Sequence, residues 1–264
     1  MNKKYPYLLF NCLFVLLMSI NTNAQPTEKE AREILQKIDQ SLGTIRSVVY
    51  KIDYSNKYLS KRDTIRTTAI CSLYIAPKDK MKAYSIVDLR FTELKVEKYG
   101  HRRYDGKKTF WVNYLVDSLD MAIKPFIDGN GRTRQGVVEN YNKLLLREYL
   151  TEKKPFKKYQ PTAGNIKITE EIYKGNPVYV LQLTFKDREE IRDNFEKHYI
   201  RKSDFLPVAY TNFLRFENME QYNYYEVEYL AINPDFSVED FKIDKNETIN
   251  AKERYAILKE KAGI

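Results

Sequence analysis

Side chains that could act as nucleophiles, general bases or metal ligands are few in this chain and lie far apart. His101 and His198 are the only histidines, and Cys12 and Cys71 are the only cysteines. A zinc site needs three or four ligands at a recognisable spacing, which two distant histidines do not provide. Cys71 lies in a strand-like segment, where a cysteine usually packs as a small core residue. These residues therefore predict neither a metal centre nor a cysteine nucleophile.

The acidic motifs also favour structural roles over chemistry. Residues 128–131, Asp-Gly-Asn-Gly, are similar to the start of a calcium loop but lack the later ligands and the bidentate glutamate of an EF-hand, so we expect a turn. The pairs Glu189-Glu190 and Glu239-Asp240 have basic neighbours and are expected to be solvated. No nucleophile elbow, zinc-protease, P-loop or dinucleotide motif occurs. We therefore predict a protein that is not an enzyme, without catalytic residues, metal or cofactor.

The N-terminal segment has the features of a secretory signal peptide. Residues 8–18 form an apolar run interrupted only by Asn11, and small residues precede Gln25 at the −3 and −1 positions. This run is too short to span a bilayer. We predict that residues 1–24 are cleaved and that the protein is periplasmic; a retained anchor helix is the alternative. Only Cys71 then remains, so no intramolecular disulfide can form.

The charge pattern argues against nucleic acid as a partner. The formal net charge is +9, but 45 basic and 36 acidic residues are well mixed along the chain. A secreted protein without a nucleic-acid-binding motif is not assigned that role on charge alone. Contact with an anionic membrane surface stays open.

Two helices are predicted to cover a sheet. Thr27 and Glu30 form a capping box, and apolar residues then recur on one helical face to Leu42, which predicts a helix over 28–42. A second helical pattern covers 136–151. Residues 244–264 are polar with a weak helical pattern and are predicted to form a C-terminal helix or tail.

Most of the remaining chain alternates with the period of two that is typical of strands. Turn signals separate these runs, and no alternating strand–helix crossovers occur, so we predict an antiparallel meander. The predicted strands begin near Ile45 and continue over 63–75, 82–91, 93–99, 101–104, 109–116, 166–173, 177–185, 195–201, 207–216 and 221–232.

Residues 104–114 contain the most distinctive strand pattern. Asp105-Gly106 is typical of a type I′ hairpin turn, in which both central residues have positive φ. The strand that follows is apolar at nearly every position, which indicates that both of its faces are covered. Side chains alternate between the faces of a strand, so either Trp111 or the pair Phe110 and Val112 faces a given side, and the sequence leaves this open.

Three segments together suggest a family. They are residues 104–112, 174–183 and 199–208, which follow the first predicted helix in this order. Together they resemble the LolA-like family of periplasmic lipoprotein-sorting carriers, in a secreted Bacteroidetes-type form. The resemblance implies a domain over 25–243 that is mainly β (α+β). It would be a single curved antiparallel sheet forming an unclosed half-barrel, with its concave face covered by helices around an apolar cavity.

The resemblance leads to a ligand-binding hypothesis. We expect a non-catalytic carrier or sensor that binds a hydrophobic ligand, either a lipid or the acyl chain of a lipoprotein. The alternative is a structural or interaction module of the cell envelope, whose helices fill the concavity so that no ligand binds. The candidate cavity residues, which ordinary core packing would also explain, are Phe110, Trp111, Val112, Tyr114, Tyr141, Leu144, Leu145, Tyr179, Leu181 and Leu183.

Overall fold

A computed structural model describes residues 26–60, 62–79, 81–128, 143–153, 155–156 and 166–264. The predicted signal peptide lies outside these residues. No helix in the described ranges is long and apolar enough to cross a membrane.

The described residues form one antiparallel sheet of eleven strands with a few helices. Its spatial order is β6-β5-β4-β3-β2-β1-β11-β10-β9-β8-β7. The first and last strands pair at the centre, and among the described residues the edges β6 and β7 do not pair with each other. The predicted class, a mainly β protein with an unclosed curved antiparallel sheet, is confirmed. The strands are β1 (Ser47–Lys57), β2 (Ile65–Ile75), β3 (Ala83–Glu93), β4 (Val96–Tyr104), β5 (Thr109–Val116), β6 (Phe126–Asp128), β7 (Ile166–Tyr173), β8 (Asn176–Thr184), β9 (Ile191–Arg201), β10 (Pro207–Phe216) and β11 (Met219–Ile232).

Helix α1 (Glu28–Thr44) begins with the predicted capping box. The Thr27 amide donates to Glu30 Oε2 at 2.7 Å, and the Glu30 amide donates to Thr27 Oγ1 at 3.3 Å. The helix buries the apolar stripe Ala31, Ile34, Ile38 and Leu42 against the sheet. These contacts define the α1 face of the sheet.

The predicted helix over 136–151 is interrupted in its described part. Residues 143–144 and α2 (Arg147–Leu150) are helical, residues 145–146 form a turn between them, and residues 136–142 lie outside the description. Leu146 has a left-handed φ of 48°, which interrupts the helical path. The Leu144 carbonyl accepts a hydrogen bond from Tyr50 Oη at 2.6 Å, so it contacts the sheet instead of a later turn of helix.

One strand prediction and one turn prediction also need correction. Strands predicted over 93–99 and 101–104 form one strand, β4, because the register shift between Tyr99 and His101 is a bulge and not a break. At Asp105-Gly106 only the glycine has positive φ, at 88°. The turn is closed by Asp105 Oδ1, which accepts from the amides of Lys107 and Lys108 at 2.9 and 2.6 Å. The expected type I′ pair therefore does not occur there.

The opposite side of the sheet packs against C-terminal elements and is called the α3 face. A 3-10 turn (Val238–Phe241) is followed by helix α3 (Ala251–Lys261). The Glu253 amide donates to Asn250 Oδ1 at 3.0 Å and so caps α3. The core on this face is smaller than the α1-face core, and it consists of Tyr99, Val112, Leu115, Ile249, Ala251 and Tyr255.

Candidate ligand pocket on the α1 face

A row of aromatic rings crosses four neighbouring strands and forms the floor of the candidate site. Tyr54 of β1 is opposite Tyr225 of β11, which is opposite Tyr210 of β10, which is opposite His198 of β9. Residues directly opposite each other in paired strands point to the same face. The Tyr210 and Tyr225 rings stack with centroids 5.1 Å apart and an interplanar angle of 21°. Strand alternation and register therefore create one continuous aromatic surface.

The segment from Lys143 to Glu152 lies over this floor. Tyr149 Oη is hydrogen-bonded to His198 Nδ1, and both side chains are buried. Between floor and cover the described residues form a partly open pocket of about 570 Å³. It is lined by Tyr54, Tyr58, Lys143, Leu146, Arg147, Glu148, Tyr149, Glu152, Tyr210 and Tyr225.

Burial keeps three tyrosines of the pocket un-ionised, and their hydroxyl groups have hydrogen-bond partners. Tyr54 Oη donates to Asn223 Oδ1 at 2.7 Å. Burial raises the pKa of Tyr54, Tyr149 and Tyr225 well above the ordinary value, so none of them ionises near neutral pH. Because their hydroxyl groups already have partners, the ring faces are the surfaces that these residues offer to a ligand.

Among the described residues that line the pocket, the charged ones belong to the cover. Glu152 is paired with Lys82 at 2.7 Å. Burial lowers the pKa of Lys143, while the nearby carboxylates of Glu148 and Glu196 act in the opposite direction. The pocket therefore joins an aromatic floor to a cover of mixed charge, which is an arrangement suited to an amphipathic molecule.

The predicted cavity residues do not form one group in the structure. Leu144, Leu181 and Leu183 are buried in the α1-face core. Leu145 and Tyr179 are partly buried against it. None of these five is among the residues that line the pocket. Their positions are those of packed core side chains.

Strand β5 divides the rest of the predicted set between the two faces. Trp111 is opposite Arg102, and this register continues through Val87 to Cys71 on the α1 face. The Trp111 ring packs against Phe126 with centroids 4.8 Å apart.

The neighbours of Trp111 in β5 point to the other face. Val112 belongs to the α3-face core, and Phe110 is buried on the same side by alternation. Phe110 and Val112 therefore cannot line a cavity together with Leu181. Tyr141 and the Tyr114 side chain lie outside the description.

Sequence reasoning missed the residues that form the pocket floor. The signal available was in β11, where Tyr225, Val227 and Tyr229 alternate with Glu226 and Glu228. The alternation shows that the Tyr225 side of this strand faces the core. It does not show that Tyr54 and Tyr210 lie beside Tyr225, because that depends on pairing between distant strands.

A second polar cluster, on the α3 face, joins α3 to the sheet. His101 Nδ1 lies 2.6 Å from Asp88 Oδ1, and Arg254 Nε donates to the same oxygen at 2.7 Å. Burial would raise the pKa of Asp88, but the hydrogen bonds and charges of His101 and Arg254 outweigh it and hold the pKa below its ordinary value. Among the described residues, His101 Nε2 is buried and has no hydrogen-bond partner, so none of them is positioned there as a nucleophile. This cluster is consistent with a structural role.

The described residues contain no group of three histidine, cysteine or carboxylate side chains placed to hold a metal ion. The pairs predicted to be solvated, Glu189-Glu190 and Glu239-Asp240, are exposed. Of the calcium-like loop, residues 129–131 lie outside the description.

Comparisons with known proteins show similarity only at a low level. No protein-family model matches this sequence, and no curated protein matches it. Among solved structures, LprF from Mycobacterium bovis aligns with a TM-score of 0.42 and 8% identity over 81% of this chain and 98% of that one. A DUF1329 family protein from Desulfovibrio piger aligns with a TM-score of 0.31 and 10% identity, over 81% and 96% of the two chains. A putative outer membrane lipoprotein-sorting protein domain from Vibrio parahaemolyticus aligns with a TM-score of 0.28 and 10% identity, over 82% of this chain and 97% of that one. TM-scores and sequence identities this low do not show that this protein shares a function with these proteins.

Proposed function

We propose that this protein is a non-catalytic periplasmic carrier or sensor that binds an acyl chain of a lipid or lipoprotein in the pocket on the α1 face. The observation that carries the proposal is the pocket of about 570 Å³ over a floor of tyrosine rings. Ligand pockets of proteins commonly measure roughly 300 to 1,000 Å³ and combine apolar walls with a few polar groups. The periplasmic location rests on the signal-peptide pattern of residues 1–24.

The geometry supports an amphipathic ligand with its chain on the floor. The rings of Tyr54, Tyr210 and Tyr225 present a continuous surface, and Leu146 adds an aliphatic contact. A polar headgroup would lie at the cover, where Lys143 and Arg147 line the pocket. Each methylene removed from water contributes about 0.8 kcal/mol, which corresponds to about a fourfold gain in affinity.

This dependence on chain length is the basis of the test. Fatty acids of increasing length are titrated in competition with a fluorescent acyl probe. Affinity is expected to rise about fourfold per methylene and to level off once the pocket is full. Native mass spectrometry of the purified protein shows whether a lipid is carried over from the cell. Affinity that does not depend on chain length would contradict the proposal.

A matched pair of variants assigns binding to the pocket. Tyr210→Ala removes a ring of the floor and is expected to weaken binding about tenfold, because roughly 1.4 kcal/mol of apolar contact is lost. Tyr199 is a similarly half-buried tyrosine on the neighbouring strand, and by alternation with His198 it faces away from the pocket. Tyr199→Ala should leave the affinity unchanged. Equal losses in both variants would place the ligand elsewhere.

One observation favours the alternative of a cell-envelope structural or interaction module. Several predicted cavity residues, including Leu144, Leu181 and Leu183, are packed into the core beneath α1 and the segment before α2. If purified protein carries no lipid and shows no affinity for any acyl probe, this second function is the better explanation.

A further inference from the structure

One end of the sheet carries exposed apolar side chains that are not packed into the core. This is the end where β3 passes into β4 and where β5 finishes. Leu94 in the β3–β4 turn is 73% exposed, and Val96, Leu119 and Met121 are between 41% and 53% exposed. The two connections are adjacent, since the Asp117 amide donates to the Glu97 carbonyl at 3.0 Å. We call Leu94, Val96, Leu119 and Met121 the apolar tip.

The residue at the point of the turn is unusual for its backbone conformation. Leu94 and Lys95 have φ values of 50° and 65°, which are the two positive values of a two-residue hairpin turn. Such positions favour asparagine and glycine, and a bulky residue there is unfavourable. The leucine therefore helps neither the turn nor the core, which points to a role outside the folded chain.

The charged groups around the apolar tip include two lysines that have no carboxylate partner among the described residues. Three carboxylates next to the tip form ion pairs: Glu93 with Lys98 at 3.9 Å, Glu97 with Arg90 at 3.4 Å and Asp117 with Lys252 at 2.9 Å. Asp120 accepts a hydrogen bond from the neutral amide of Asn250 at 2.7 Å. Lys95 and Lys124 are exposed and form no ion pair with any described residue. Exposed apolar groups beside free lysines match the chemistry of an anionic lipid surface.

We propose that the apolar tip docks on an anionic bilayer, with Leu94 and its apolar neighbours in the headgroup region and Lys95 and Lys124 on lipid phosphates. A stable protein–protein interface buries roughly 800 Å² on each partner, which is far more than four side chains at a turn provide. Shallow insertion combined with charge attraction needs only a small surface. This inference is independent of the ligand pocket, whose residues it does not use.

Vesicle flotation tests the proposal. The purified protein is expected to float with vesicles of phosphatidylglycerol and phosphatidylethanolamine, to bind more weakly as salt rises, and not to float with phosphatidylcholine vesicles. Leu94→Asn should lower partitioning about tenfold. Asparagine suits a positive φ, so this variant keeps the turn and its loss of binding cannot reflect unfolding. Lys95→Gln should lower partitioning about fivefold.

Ile172 provides the matched control. It is 71% exposed and lies at the opposite end of the sheet, where β7 finishes. Ile172→Asn should leave partitioning unchanged. The proposal is overturned if wild-type protein does not bind the anionic vesicles, if Leu94→Asn binds as tightly as wild type, or if Ile172→Asn loses as much. Capture of an envelope protein that depends on Leu94, without any lipid binding, would also overturn it.

Discussion

Replacing Asp88 by asparagine tests whether the buried polar cluster holds α3 on the sheet. Asp88 is 2% exposed and is hydrogen-bonded to His101 and Arg254. Asparagine keeps the shape of the side chain but removes the charge that both partners contact. The variant therefore separates the effect of charge from the effect of packing.

The size of the effect follows from these contacts. A hydrogen bond to a charged group contributes roughly 1.5 to 3 kcal/mol, and removing one partner of a buried ion pair costs about 3 to 5 kcal/mol. The Arg254 side chain is 32% exposed, so water can solvate part of its charge once Asp88 is gone. We expect Asp88→Asn to lower the free energy of unfolding by about 3 kcal/mol, at the low end of that range.

Urea denaturation followed by circular dichroism measures this change. With a slope near 3 kcal/mol per molar urea, which is typical of the larger single domains, the midpoint should fall by about 1 M. Asp53→Asn is the control. Asp53 is half-exposed and contacts Thr68 and Lys51, so the loss should stay below about 1 kcal/mol. A loss below about 1 kcal/mol for Asp88→Asn would refute the reasoning.

The same variant has a defined pH dependence. The pKa of Asp88 in the folded protein lies below its ordinary value, which is about 3.9 in an unfolded chain. A carboxyl group with a depressed pKa contributes stability above the unfolded pKa and loses it as the pH falls through the folded pKa. The stability difference between wild type and Asp88→Asn should therefore be constant near neutral pH and shrink below about pH 4.

Two further predictions concern buried groups on the α1 face. Tyr149→Phe leaves His198 Nδ1 without its hydroxyl partner and should lower the free energy of unfolding by about 1 to 2 kcal/mol; no change in urea denaturation would show that this bond is not needed. Cys71 is fully buried, and burial raises the pKa of its thiol, so iodoacetamide should modify it at neutral pH only in urea. Rapid alkylation of Cys71 in the native protein, detected by peptide mapping, would contradict its position in the core.

Much of the secondary structure could be predicted because its signals are local. The capping box at Thr27 and Glu30 acts within one turn of helix, and the alternation in β11 acts between residues two positions apart. Local signals were misleading where a residue distant in sequence takes a hydrogen-bonding group that a helix would otherwise use. The Leu144 carbonyl bonds Tyr50, and the helical pattern before Leu146 does not continue unbroken into α2.

The candidate site was less predictable than the fold. Apolar character selected Leu144, Leu181 and Leu183, because core residues and ligand-contacting residues have the same composition. Phe110 and Val112 were grouped with them although alternation places these two on the α3 face. The apolar tip gave no periodic signal, since its residues lie in connections between strands.

The sequence by itself determined that the protein is an antiparallel β protein with a capped N-terminal helix, because capping and alternation involve neighbouring residues. Tertiary structure alone decided which side chains share a face across the sheet. Tyr54 reaches Tyr225 because β1 pairs with β11, at the opposite end of the described chain, and Tyr210 joins them through β10. Strand register over such separations depends on the packing of the whole sheet, and the pocket floor exists only after that register is set.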